Sequence, residues 1–137
     1  LSRMPALPDG FPLLLTNAKE EAYMLTGYKN VASIRIMRPE PLVELHPDTA
    51  AEYGLDEGAW IAIETEAGRI EQRLALNRGL DRRVVMASFG WWFPERPDSG
   101  YGWRASNINM LVPSGPDHDP STGGVTLRGI PCRVSRT

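Results

Sequence analysis

The stretch from residue 42 to residue 88 constrains this chain more than any other, because its turn signals and apolar runs leave little choice of structure. It opens Leu42-Val43-Glu44-Leu45 and continues His46-Pro47-Asp48-Thr49-Ala50-Ala51-Glu52-Tyr53-Gly54. The first four residues read as a strand. Pro47 suits a first helical position, where its missing N–H costs nothing. Asp48 stands at the positive end of the short helix that follows, and Gly54 can take the left-handed conformation that stops it. Asp56-Glu57-Gly58 reads as a turn. Trp60-Ile61-Ala62-Ile63-Glu64-Thr65 is rich in aromatic and β-branched residues and reads as a strand. Ala67-Gly68 makes a tight hairpin connection. In the return strand Ile70, Gln72, Leu74 and Leu76 alternate with Arg69, Glu71, Arg73 and Ala75, the period of a half-buried strand. Asn77-Arg78-Gly79 turns again, and Val84-Val85-Met86-Ala87 is a buried strand. The outcome is a compact β structure with a small helix plugged into it.

The flanks supply the remaining strands. Residues 1–10 carry Pro5, Pro8 and Gly10 and read as an extended lead-in or linker, with residues 11–137 forming one domain. Phe11-Pro12-Leu13-Leu14-Leu15 is predicted as a buried first strand, ending in a polar loop or helix start at Thr16-Asn17-Ala18-Lys19-Glu20. Residues 21–30 have no clean period and read as loop with one helical turn; residues 31–38 are weakly patterned. Beyond Ser88 come the aromatic cluster Trp91-Trp92-Phe93, a loop over residues 95–102, the polar run Ser106-Asn107-Ile108-Asn109, and a second turn-rich loop over residues 113–124. Residues 125–134 form a closing strand in which Gly129 and Pro131 permit a bulge or an edge position. Short strands joined by long loops point to a closed or nearly closed barrel. Its core is expected to hold Leu13, Leu15, Val43, Leu45, Ile61, Ile63, Leu74, Leu76, Val85 and Val134.

Composition excludes several function classes. The net charge of −2 argues against general nucleic-acid binding, which calls for a basic face. One cysteine rules out an internal disulfide and a cysteine metal cluster. No run has the length of a membrane span, and residues 1–15 lack the pattern of a signal peptide, so a soluble protein is expected, cytoplasmic or periplasmic. The chain starts at Leu1, which is expected of a piece of something longer. There is no Gly-x-Ser-x-Gly elbow and no glycine-rich phosphate fingerprint. His46 reads as a helix cap rather than a base. His118, between Asp117 and Asp119, reads as a solvated loop, and Cys132 as a buried packing residue. The residues alone lead to a small β-barrel with a polar, amide-bearing loop system. Such a barrel also suits a protein-interaction module docking through its aromatic loop. A self-sufficient small enzyme is disfavoured by the missing triad and missing metal cluster.

The order of motifs resembles the C-terminal molybdopterin-dinucleotide-binding domain of the dimethyl sulfoxide reductase and formate dehydrogenase superfamily. The matching residues are Phe11-Pro12-Leu13-Leu14-Leu15-Thr16, Pro39-Glu40-Pro41-Leu42-Val43-Glu44-Leu45-His46-Pro47 through Gly54 and Gly58, and Val84-Val85-Met86-Ala87. Ser106-Asn107-Ile108-Asn109-Met110-Leu111, Asp119-Pro120 and Cys132-Arg133-Val134 complete them. The resemblance implies a mainly β fold, a six-stranded double-psi β-barrel with short helices and long loops. It implies a non-catalytic domain that covers a molybdopterin guanine dinucleotide, with the molybdenum or tungsten held by other domains of a parent oxidoreductase and with an iron–sulfur subunit as a further partner. On the same basis the cofactor-contacting residues are Thr16, Asn17, Ala18 and Lys19, Thr26, Trp91, Asn107 and Asn109, and Arg128. Lys19 stands where the family often has Arg and lacks its bidentate fork. Asn109 matches the Asn of an Asn-x-Leu-Thr motif whose Thr is here Val112; an amide offers donors and acceptors to a heterocycle edge. Tyr23, Leu25 and Thr26 occupy the region where the family often carries a His. The alternative on this level is a double-psi barrel serving as an interaction module without pterin.

Overall fold

The computed structural model describes residues 7–113, 119 and 121–137. Its strands are β1 (Leu13–Ala18), β2 (Leu42–Leu45), β3 (Trp60–Thr65), β4 (Gly68–Leu76), β5 (Val84–Ser88) and β6 (Ile130–Arg136). Its helices are α1 (Ala32–Met37), α2 (Pro47–Glu52) and α3 (Trp103–Ser106), with 3-10 turns at Pro97–Gly102 and Ile108–Leu111. The strands close into a barrel in the order β1-β5-β2-β4-β3-β6. Two parallel pairs, β1/β5 and β2/β4, are joined by the antiparallel β2/β5 contact, and antiparallel pairs complete the ring. This is the six-stranded double-psi barrel that the resemblance implies, and among the described residues closure leaves no open sheet edge.

Strand alternation decides what fills the barrel. Leu13, Leu15, Val43, Leu45, Ile61, Ile63, Leu74, Val85 and Val134 are all buried, joined by Ile70, Ile108, Leu111 and Cys132. Leu76, also expected inside, is half-buried and packs on the core's edge. One position on the apolar stripe of β4 is polar. Gln72 is fully buried, and its amide is satisfied on every side that matters: Nε2 donates to Ser88 O at 3.1 Å and Ser106 O at 2.9 Å, while Oε1 accepts from Ser88 N at 2.9 Å. One side chain thereby ties β4 to the end of β5 and to α3.

Strand directions sort the connections onto two ends of the barrel. β1 and β5 run parallel, Ala18 beside Ser88, and β2 runs against β5. The C-terminal ends of β1, β3 and β5 and the N-terminal ends of β2, β4 and β6 therefore share one end. The long connections that follow β1 and β5 leave the barrel there. The opposite end is closed by α2, capped as expected: His46 Nδ1 accepts from Asp48 N at 3.1 Å, Pro47 starts the helix, and Gly54 follows it at φ +63°.

Three boundaries differ from expectation. Thr16, Asn17 and Ala18 are strand, not loop, because Met86, Ala87 and Ser88 lie alongside and complete their ladder. Residues 125–129 are not strand: Gly129, at φ +72°, turns the chain, and β6 begins at Ile130. Residues 32–37 form α1, which buries no residue and so imprints no apolar period on the sequence. His118 and Asp117 lie outside the described residues.

Candidate binding cleft

At the loop-bearing end, the strand correction matters directly. Asn17 and Lys19 leave the end of β1 beside residues 125–128, which return toward β6. Asn17 Nδ2 donates to Leu127 O at 2.8 Å, and Gly129 N donates to Leu15 O at 2.8 Å. Between these segments lies a cleft of about 450 Å3 lined by Asn17, Lys19, Leu25, Phe89, Val125, Thr126, Leu127 and Arg128. Among the described residues its lining carries two cations and no carboxylate. Phe89 supplies a ring, and its N–H is fixed on Ala18 O at 3.0 Å. Positive charge beside an apolar platform is a donor set suited to a phosphate diester carrying a flat heterocycle.

A second pocket, of about 370 Å3, adjoins the first through Lys19 and is lined by Ala18, Glu20, Glu21, Arg38, Glu44 and Ser88 among others. Glu20 is nearly buried and pairs with Arg38 Nε at 2.9 Å and with the Ser88 hydroxyl. Ser88 Oγ in turn accepts from Leu42 N at 2.9 Å. Its one cation beyond Lys19 is already engaged by a carboxylate, so this pocket disfavours phosphate.

The other sequence-derived positions share the same end but play different parts. Trp91 is fully buried. Its ring meets Tyr23 at 5.6 Å and Phe93 at 6.3 Å, both edge-on, so that the three rings form a small second core cluster. Its Nε1 is buried without a hydrogen-bond partner. Asn107 is buried, and its side chain is used internally: Nδ2 donates to Trp91 O at 3.1 Å and Oδ1 accepts from Asn109 N at 3.0 Å. It caps the 3-10 turn. Asn109 is exposed on that turn. Thr26 is exposed, and its carbonyl accepts from Trp92 Nε1 at 2.6 Å. Thr16 is half-buried within β1, and Ala18 faces the second pocket. The structure thus brings Asn17, Lys19 and Arg128 into one cleft, with Thr26, Asn107 and Asn109 outside its lining. Leu25, Phe89 and residues 125–127 are lining residues that sequence reading missed; the side chains of Leu25, Phe89, Val125 and Leu127 are apolar and carry no chemical signal of their own, and the lone hydroxyl of Thr126 carries little.

Among the described residues no His, Cys, Asp or Glu side chains gather as a metal site, and no helix is long and apolar enough to cross a membrane. Cys132, buried inside β6, has its thiol pushed up to about 12 by desolvation, which leaves it without thiolate character at neutral pH.

The closed barrel thus gathers its long loops at one end, with a cationic and partly apolar cleft among them. The chain matches the molydopterin dinucleotide binding domain family over residues 13–131 and belongs to it. It is 35% identical over 128 residues to a dopamine dehydroxylase of Eggerthella lenta, a match covering 90% of this chain and 12% of that protein. It is 30% identical over 131 residues to the acetylene hydratase of Syntrophotalea acetylenica, covering 91% of this chain and 18% of that protein. The solved structure of acetylene hydratase from Pelobacter acetylenicus superposes with a TM-score of 0.87 at 29% identity, covering 93% of this chain and 18% of that one. The chain therefore spans less than a fifth of these relatives' length.

Proposed function

We propose that this domain forms one wall of the site for a molybdopterin guanine dinucleotide within a larger molybdenum or tungsten oxidoreductase, and that the cleft between β1 and residues 125–128 takes the pyrophosphate and adjacent heterocycle. The observation that carries this reading is the convergence of Lys19, Arg128 and Asn17 on one cleft whose lining, among the described residues, has no carboxylate. Lys19 and Arg128 hold phosphate oxygens, and the Asn17 amide and Phe89 ring face the dinucleotide's polar and flat parts. When bound, the group supplies the metal's redox chemistry; this chain's residues hold and orient it and keep water from one side. Asn109, exposed at the same barrel end, addresses a base edge once a second wall is present.

Exposed apolar side chains on the connection between β1 and β2, Met24, Leu25, Tyr28, Ile36 and Met37, support the remaining domains of the parent enzyme as the covering partner. An iron–sulfur subunit is the redox partner this reading implies for the whole enzyme. The test is pterin content of the full-length protein, read by fluorescence of the released, oxidised pterin. Lys19→Ala and Arg128→Ala are each expected to weaken retention by roughly 1.5–3 kcal/mol, the size of a hydrogen bond to a charged group. Asn109→Ala is expected to cost about 1–3 kcal/mol by leaving cofactor polar groups unpaired. Parental pterin content in folded Lys19→Ala and Arg128→Ala proteins rejects the cleft as the phosphate site.

A further inference from the structure

The turn over residues 24–28 brings Leu25 to the cleft, and it is held from beneath by a side chain that phosphate or base recognition does not use. Lys29 is fully buried. Its Nζ donates to Leu25 O at 2.9 Å and lies 4.2 Å from the centre of the Tyr23 ring and 4.9 Å from that of Trp91. Burying an ammonium is costly unless other groups replace its water. Here the replacements are one carbonyl and two ring faces. Desolvation pulls the pKa of Lys29 down to about 8, against the opposing pull of Glu20. A position that served packing alone would be filled at lower cost by a methionine or a leucine.

The turn above Lys29 is held in an unfavourable backbone conformation. Leu25 and Tyr28 have φ of +53° and +69°, a region that side-chain-bearing residues avoid. Such strain persists where surrounding structure over-determines it, and it does so here. Lys29 grips the carbonyl of Leu25, and Trp92 Nε1 grips the carbonyl of Thr26. Gly90 approaches from below so closely that a Cβ there would lie 3.0 Å from Thr26 Cγ2 and 3.3 Å from Leu25 O. On the opposite side of this clamp, Leu25 faces Asn17, Lys19, Phe89 and Arg128 across the cleft.

We propose that Lys29 is a positioning residue for dinucleotide binding: its buried ammonium, bonded to the Leu25 carbonyl, fixes the strained turn so that Leu25 stands as a wall of the cleft. The inference rests on the reading of that cleft as the dinucleotide site, and the experiment separates the two. Lys29→Met, Lys29→Arg, Trp92→Phe, the Lys29→Met/Trp92→Phe pair and Lys19→Ala are made in the full-length protein. Pterin per protein and the thermal midpoint at pH 7 are measured for each.

Lys29→Met is expected to keep or raise the midpoint, since a buried charge is removed, and to retain pterin about tenfold less well. Lys29→Arg is expected to restore retention, because a guanidinium still donates to the carbonyl and stacks on the rings. The double variant is expected to lose no more than its worse parent, because both side chains grip one turn. Parental pterin in Lys29→Met alongside loss in Lys19→Ala overturns the positioning role and leaves the cleft standing. Parental pterin in both removes the cleft and the inference together. A Lys29→Met protein whose midpoint and pterin fall in step, with no rescue by Lys29→Arg, assigns Lys29 to general stability and overturns the proposal.

Discussion

Gln72 shows how much one side chain can decide at this barrel end. Its amide engages three buried main-chain groups, Ser88 N, Ser88 O and Ser106 O. Leucine fills nearly the same volume and removes all three hydrogen bonds, so Gln72→Leu is expected to destabilise the fold by roughly 2–4 kcal/mol despite better hydropathy. Urea denaturation of the two proteins measures this, and a change below about 1 kcal/mol would show that water or relaxation replaces the amide. The position was visible in the sequence as a lone polar residue on the apolar stripe of β4, but its partners were not, since they lie 16 and 34 residues away. The site residues divide in the same way. Asn17, Lys19 and Arg128 are polar groups that the fold brings to one cleft. Asn107 is engaged in capping the 3-10 turn and Trp91 in packing, and residue type alone announces neither.

Elements with a strong internal period were legible: β2, α2, β3, β4 and β5 fall where apolar alternation and turn residues put them. Elements defined by a neighbour were not. The polar end of β1 is strand only because β5 pairs with it, and α1 exists without burying anything. The 3-10 turn Ile108–Leu111 is another case of an element placed by contact. Its Met110 carbonyl sits on the start of β4, where a Cβ on Gly68 would lie 2.6 Å from Met110 O. Thr65 Oγ1 fastens the same turn by donating to Leu111 O at 2.8 Å. Neither partner of the Gly68 contact is a flexible side-chain end, so the clash is relieved only by moving backbone. Gly68→Ala is expected to cost roughly 1–3 kcal/mol and to shift the turn that carries Asn109. Thermal melts give the first quantity. Amide chemical shifts of residues 107–112 in a labelled sample give the second, and unchanged shifts would mean that the β3–β4 hairpin yields instead.

For the whole molecule, two buried titratable groups set opposite slopes on stability in mild alkali. Lys29 ordinarily titrates at 10.5 and is pulled down to about 8 in the fold, desolvation outweighing Glu20 and acting with Arg35. Between those values the unfolded chain binds the extra proton, so folding becomes more favourable as pH rises above 8. Cys132 ordinarily titrates at 9.0 and is raised to about 12 by burial. Between those values the folded chain keeps a proton that the unfolded chain has lost, so its contribution is complete below 9 and declines as pH climbs above it. Tyr23 and Tyr53, both raised by burial, add the same downward slope only above their ordinary value of 10.0. The expected profile is a rise in stability from pH 8 to 9, followed by a flattening as the thiol's opposing slope sets in. Chemical denaturation at half-unit steps from pH 7 to 10, under reducing conditions, measures it. Lys29→Met should abolish the rise, and Cys132→Ala should extend it toward pH 10. A parental curve that falls steadily from pH 7.5 would show that the ammonium of Lys29 is better solvated than its burial between Tyr23 and Trp91 implies.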